Sequence, residues 1–115
     1  MFLAADFFDA LADETRRRML ALITHEGELC VCELHEALAV LQPKASRHLA
    51  ILRDAQILSI RRDGTWIFYR VNPVLPDWAQ QVLHSVSPML QMTPEWEQDY
   101  RRLLNMANRP ARCCP

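Results

Sequence analysis

Between Leu58 and Val71 the chain leaves the helical rhythm of everything before it. Leu58-Ser59-Ile60-Arg61-Arg62 and Thr65-Trp66-Ile67-Phe68-Tyr69-Arg70-Val71 are two β-rich runs parted by Asp63-Gly64. Branched and aromatic side chains suit a pleated strand and Asp-Gly is a tight-turn signal, so this stretch predicts a β-hairpin. The 115 residues, half of them hydrophobic, allow one small domain with a modest core and appended helices.

Ahead of the hairpin the apolar residues recur at helical spacing. Phe2, Leu3, Phe7, Phe8 and Leu11 predict a short helix, broken at Asp13, which is placed to N-cap a second. In that second helix Thr15, Met19, Leu20 and Ile23 share a face, and Gly27 marks the end. Arg16, Arg17 and Arg18 crowd its first turns, against the helix dipole, and read either as solvated or as approaching phosphate.

A third helix is predicted from Val31 or Cys32, with Val31, Leu34, Leu38 and Leu41 as one buried stripe. A fourth follows around Pro43, which suits a first turn; Ala45, Leu49 and Leu52 then face inward and Lys44, Ser46, Arg47 and His48 outward. Two helices joined by a short connection, the second with a donor-rich outer face, form the layout of a helix-turn-helix with a recognition helix in the major groove. A hairpin directly behind it, with Arg61 and Arg62 towards its tip, reads as a wing beside the phosphates. The fold class expected is therefore mainly α with a β-hairpin wing (α+β), a winged helix-turn-helix, dimeric through its terminal helices.

Charge is distributed accordingly. The formal net charge is −1, yet residues 42–70 carry +4 and the remainder −5. An acidic body with one basic module is suited to touching phosphates on a single face. Beyond Pro73 and Pro76, Trp78, Val82, Val86 and Leu90 predict a helix with too little partner surface within so small a domain, so another subunit is expected to cover it. Thr93-Pro94-Glu95 starts a further helix with Trp96, Tyr100 and Leu103 or Leu104 along one side, and the stretch from Asn108 to Pro115 reads as a flexible tail. The expected division is 1–92, a winged helix-turn-helix DNA-binding and dimerisation domain, and 93–115, a C-terminal helix with a cysteine-containing tail. No apolar run approaches the roughly 20 residues of a membrane span, and the acidic start MFLAADFFDAL is no leader, so a cytoplasmic protein is expected.

Cys30-Val31-Cys32 lies just ahead of the helix pair. Without a secretory context, reduced ion-binding thiols are expected rather than a disulfide scaffold. Thiolates favour soft, thiophilic ions, and zinc more often uses a CxxC spacing with four ligands. An enzymatic redox dithiol is disfavoured: no adjacent cation activates the pair, and no acid, base and nucleophile converge. On an intact helix, residues two apart point roughly 200° away from one another, so an ion gripping both sulfurs is expected to unwind the first turn of the helix supporting the recognition helix.

The segments ALADETRRRMLALI, ELCVCELHEAL, QPKASRHLAILR and DGTWIFYRVNP together resemble the ArsR (ArsR/SmtB) family of winged-helix metalloregulatory repressors, and in particular its arsenic-responsive branch, over roughly residues 10–75. The resemblance implies a homodimer that represses an arsenic-resistance operon, binds double-stranded operator DNA at an inverted repeat, and leaves it when As(III) or Sb(III), the inducer, occupies Cys30 and Cys32. No permanent cofactor is implied. Relatives often have a third cysteine three residues after the pair, where this chain has His35, a poor match for arsenite; Cys113 and Cys114 are the candidates for a third sulfur. Relatives also often carry a capping serine where Leu41 stands, for which Gln42 is a weak substitute. The candidate DNA-binding residues are Gln42, Lys44, Ser46, Arg47 and His48 on the recognition helix and Arg61, Arg62 and Thr65 on the wing. Arg47, whose fork can bond two acceptors at once, is the candidate for guanine. A cadmium- or zinc-responsive repressor, or a thiol-redox-responsive one, is the alternative on the same fold.

Overall fold

The computed structural model describes residues 1–107 and 109. Leu3 leads into α1 (Ala4–Leu11), which buries Phe7 and Ala10. Asp13 N-caps α2 (Glu14–Glu26), its Oδ2 accepting from the Arg16 backbone N–H at 3.0 Å. Gly27 ends α2 with φ of 94°, where a side chain would strain the backbone. Both ends of this helix fall where the sequence placed them.

Next come β1 (Leu29–Cys30), α3 (Val31–Leu38), α4 (Gln42–Asp54), β2 (Leu58–Asp63), β3 (Trp66–Val71), α5 (Asp77–Leu90) and α6 (Pro94–Leu104). The expected mainly α architecture with a hairpin wing is what forms. Leu34, Ala37 and Leu38 of α3 and Ala45, Leu49 and Leu52 of α4 are buried in one cluster with Met19, Leu20, Leu22 and Ile23 of α2. Full burial stabilises each large aliphatic side chain by about 1.5 to 3 kcal/mol, which makes this three-helix core the main support of the recognition helix.

Three local expectations are corrected. Leu41 does not join the buried stripe of α3; it is 79% exposed. Ala39 adopts the left-handed conformation (φ 58°, ψ 43°), stopping α3 at Leu38, so Leu41 becomes the N-cap position of α4. The hairpin turn is Gly64-Thr65 rather than Asp63-Gly64, because Asp63 pairs with Trp66 and Gly64 takes φ of +61°. The hairpin is also not alone: β1 pairs antiparallel with β3, giving the strand order β1-β3-β2. A two-residue strand is too short to display alternation, which is why periodicity missed it.

α5 buries only Ala79 fully. Trp78 stays 39% exposed, its ring 5.1 Å from Phe7, 5.7 Å from Phe2 and stacked on Phe8 at 5.9 Å. Phe8 itself is 52% exposed, so α1 and α5 present a shared aromatic surface. Thr93 caps α6 by accepting from the Trp96 N–H, and Leu103 enters the main core cluster. Buried Asp99 fastens the helix: Arg18 donates to both of its oxygens at 2.9 and 2.8 Å, and Arg102 donates to Oδ1 at 2.8 Å. Those two arginines also bond the Leu38 and Ala37 carbonyls, satisfying acceptors at the end of α3. Among the described residues no helix is long and apolar enough to cross a membrane.

Candidate functional site

Cys30 stands at the junction of β1 and α3. Its backbone is extended (φ −94°, ψ 171°) and it occupies the N-cap position, while Cys32 lies in the first turn. The premise of two thiols on one intact helix is therefore overturned, since the pair straddles a strand-to-helix boundary and the 200° separation does not apply. The Cys30 sulfur faces the backbone N–H groups of Glu33 and Cys32, and the Glu33 carboxylate returns to accept from the Cys30 N–H at 3.0 Å. This is a capping box with sulfur in place of the usual hydroxyl.

Cys30 is 1% exposed, whereas Cys32 is half-buried. Burial pushes the Cys30 thiol up to about 12, with the Glu33 carboxylate and Cys32 adding to the rise and the two N–H donors opposing it. Cys30 is a protonated thiol at neutral pH, the opposite of an activated redox nucleophile.

The sheet carries Cys30 towards the wing. Cys30 pairs with Phe68 on β3, and Phe68 pairs with Arg61 on β2, so these three residues form one row across the three strands. The Arg61 guanidinium lies 4.7 Å from the Phe68 ring centre and donates from Nε to both Glu28 oxygens at 2.9 and 3.0 Å. That bond, backed by the Arg61 charge, holds the Glu28 carboxyl below the usual range. Arg61, expected to reach for phosphate, is held against the residue preceding β1; Arg62 and Thr65 are exposed.

On α4, Gln42, Lys44, Ser46 and Arg47 are exposed along the outer face. His48 is not free in the same way: its side chain is 12% exposed and Nδ1 lies 3.2 Å from Arg16 Nη1. Burial lowers its affinity for a proton, the charges of Arg16, Lys44 and Arg47 lower it further, and Asp13 pulls the other way. Leu41 supplies no side-chain cap to α4, as its identity led one to expect, and Gln42 occupies the first helical position instead of substituting for a cap.

The arginine run of α2, read as solvated or phosphate-facing, does neither. Arg16 Nε donates to the Ala10 carbonyl at 2.8 Å and Arg17 Nη1 to the Leu11 carbonyl at 2.9 Å, closing the end of α1, while Arg18 holds α6 and the end of α3. No local signal reveals such bonds, because the partners are carbonyls and a carboxylate brought in by the fold. His35 Nδ1 sits 3.3 Å from the Val40 carbonyl in the α3–α4 connection. Among the described residues no group of three His, Cys, Asp or Glu side chains is placed to hold an ion. Cys113 and Cys114 lie outside the described residues, as does the expected flexible tail apart from Arg109. Arg109 is buried, donating from Nε to Glu33 Oε2 at 2.6 Å and from Nη2 to Glu26 Oε1 at 3.1 Å.

A helix pair with a basic outer face, backed by a three-stranded wing and carrying two thiols at the base of its supporting helix, defines a winged helix-turn-helix transcription regulator rather than an enzyme. Residues 13–59 match the family model described as a bacterial regulatory protein of the arsR family. The chain is 51% identical over 104 residues to the arsenic resistance transcriptional regulator ArsR1 of Pseudomonas putida, covering 90% of this chain and 79% of that protein. It is 48% identical to ArsR2 of the same organism, covering 99% of this chain and 100% of that one. Among solved structures, HlyU from Vibrio cholerae superposes with a TM-score of 0.65 at 26% identity, over 75% of this chain and 89% of the other. The chain belongs to the ArsR family, and within it is most naturally grouped with arsenical-resistance repressors.

Proposed function

We propose that this protein is an As(III)- and Sb(III)-responsive repressor that binds operator DNA as a homodimer and is released when the metalloid binds Cys30 and Cys32. The observation that carries this reading is the placement of Cys30, which caps the helix supporting α4 and begins the residue row that ends at Arg61 of the wing. The names of the two Pseudomonas putida relatives support arsenic as the signal.

In the DNA-bound state Gln42, Lys44, Ser46, Arg47 and His48 face the major groove, with Arg47 forking onto guanine, while Arg62 and Thr65 position the wing and Arg61 stiffens it. The aromatic surface of α1 and α5 takes a second copy of the chain, covering Phe8 and Trp78 and setting two recognition helices against an inverted repeat. A metalloid drawing both sulfurs together takes the Cys30 sulfur away from the Glu33 and Cys32 N–H groups it faces and opens the capping box. The disturbance falls on the N-terminus of α3 and on β1 at once, so it reaches both the recognition helix and the wing. A preference of about 100-fold for the uncapped form supplies roughly 2.7 kcal/mol of coupling, enough to empty the operator.

The test is fluorescence anisotropy of an operator duplex titrated with arsenite, antimonite, cadmium and zinc, for the parent, Cys30→Ser and Cys32→Ser. The parent should release DNA with the two metalloids, and both variants should stay bound. Release by cadmium or zinc alone, or by peroxide with no metalloid present, would move the assignment to the metal- or redox-responsive alternative. Unchanged affinity with every agent would overturn the sensing role.

A further inference from the structure

We propose that Glu28 sets the strength of DNA binding by withholding Arg61 of the wing from phosphate, its carboxylate holding the guanidinium in the DNA complex as it does in the free protein. The proposal rests on the DNA-binding half of the reading above and makes no use of the metalloid.

Glu28 joins the basic module only through the fold. Residues 42–70 carry +4, and Glu28 lies fourteen residues before them in the chain. In space it stands directly before β1, whose pairing with β3 brings it onto the sheet of the wing. There Arg61 Nε donates to both carboxylate oxygens at 2.9 and 3.0 Å, and Nη2 donates to Oε2 as well. Two neighbouring guanidinium nitrogens meeting two oxygens is also how an arginine holds a phosphate. The carboxylate fills the seat an operator phosphate would take. Phe68 backs the same guanidinium at 4.7 Å, and Arg70, two residues on and on the same face of β3, adds a second positive charge that the carboxylate feels.

The pair is not a support for the core. The Arg61 side chain is 41% exposed and that of Glu28 30% exposed, and an ion pair so open to water contributes little to stability. Its effect falls on the field around the wing instead. Arg62, next along β2, points to the opposite face of the strand, so the two arginines flank it. A hairpin seated edge-on over a groove turns one face to each phosphate row. Arg62 is exposed and free to serve its row, while the charge of Arg61 is cancelled where the other row passes. Asp63 lies 3.8 Å from Arg61 Nη1, beyond hydrogen-bond reach, and leaves Glu28 as the carboxylate that holds the fork. For a repressor that must let go of DNA, one phosphate contact fewer keeps the complex within reach of its signal.

Binding of the full-length protein to an operator duplex and to a scrambled one, across a salt series, reads the difference. Each phosphate neutralised steepens the dependence of log K on log salt by about 0.9. Glu28→Gln removes the charge and keeps a carbonyl that accepts from Arg61 Nε, so the wing stays braced in the free protein and the neutral amide yields to phosphate in the complex. It should bind both duplexes more tightly than the parent with a slope steeper by about 0.9, an advantage that shrinks about 3.5-fold between 50 and 200 mM salt. Glu28→Ala should steepen the slope equally. In an Arg61→Ala background, Glu28→Gln should leave the slope where it is. An unchanged or shallower slope in either Glu28 variant overturns the proposal. So does the same steepening with Arg61 absent, since the carboxylate would then act by general repulsion. A parent that binds neither duplex overturns the DNA-binding reading as well, which separates that failure from a failure of Glu28 alone.

Discussion

Arg16 donates from Nη1 to His48 Nδ1 across 3.2 Å, joining the first turn of α2 to the middle of α4. A guanidinium has only donors, so Nδ1 must accept and the ring proton must sit on Nε2. His48 is thereby fixed as a neutral imidazole with one remaining donor. Protonation would destroy the bond and set a cation beside Arg16, Lys44 and Arg47, with only Asp13 to compensate.

Because folding depresses its proton affinity, His48 contributes stability that is present above its ordinary value of 6.5 and lost as pH falls below it. Urea unfolding of the parent should show a decline starting near that value, and the decline should shrink in His48→Gln. An NMR titration placing the His48 ring above 6.5 in the free protein would contradict the assignment.

Arg47 and Arg62 should fail differently. Arg47→Ala is expected to cost about 1 to 3 kcal/mol of operator affinity and to relax base preference at one position, whereas Arg62→Ala should weaken all sequences alike and reduce the salt slope by about 0.9. Binding measured on operator and scrambled duplexes across a salt series separates the two. Arg61→Ala should alter the slope less than Arg62→Ala, because its charge is already neutralised by Glu28.

The two described thiols should alkylate in a fixed order. With Cys30 buried and its pKa at about 12, roughly one molecule in ten thousand carries that thiolate at about pH 8. Iodoacetamide followed by peptide mass spectrometry should label half-buried Cys32 first and leave Cys30 intact until denaturant is added. Simultaneous labelling in the native protein would refute the buried cap.

Leu41→Ser should stabilise the protein. Leu41 is exposed and caps nothing, and Pro43 has no N–H, so a serine hydroxyl would accept from the Lys44 N–H and gain about 1 kcal/mol. The urea midpoint should rise at constant m-value.

What the sequence revealed and what it hid divide along the range of the interactions. Asp13, Gly27, Pro43 and Thr93 act on their own helix ends, and Ala45, Leu49 and Leu52 repeat with the helical period, so each was legible as written. Arg18 and Asp99 lie 81 residues apart, and Glu33 and Arg109 lie 76 apart, so nothing in either neighbourhood announces the other. The start of α3 at Val31 was legible; the orientation of Cys30 was not, for a subtler reason. Its spacing from Cys32 fits a helix, but β1 claims its backbone first through the pairing with Phe68, a contact only the sheet supplies.

The thiols stand at the opening turn of α3 and the exposed donor-rich face of α4 begins beyond its other end, an eight-residue helix of about 12 Å between them. In the function proposed above, ion preference and operator preference therefore occupy separate surfaces linked by one short rod. Selection, or a protein engineer, can exchange the chemical cue without rewriting the genetic address, provided the rod still answers to a pull at its base.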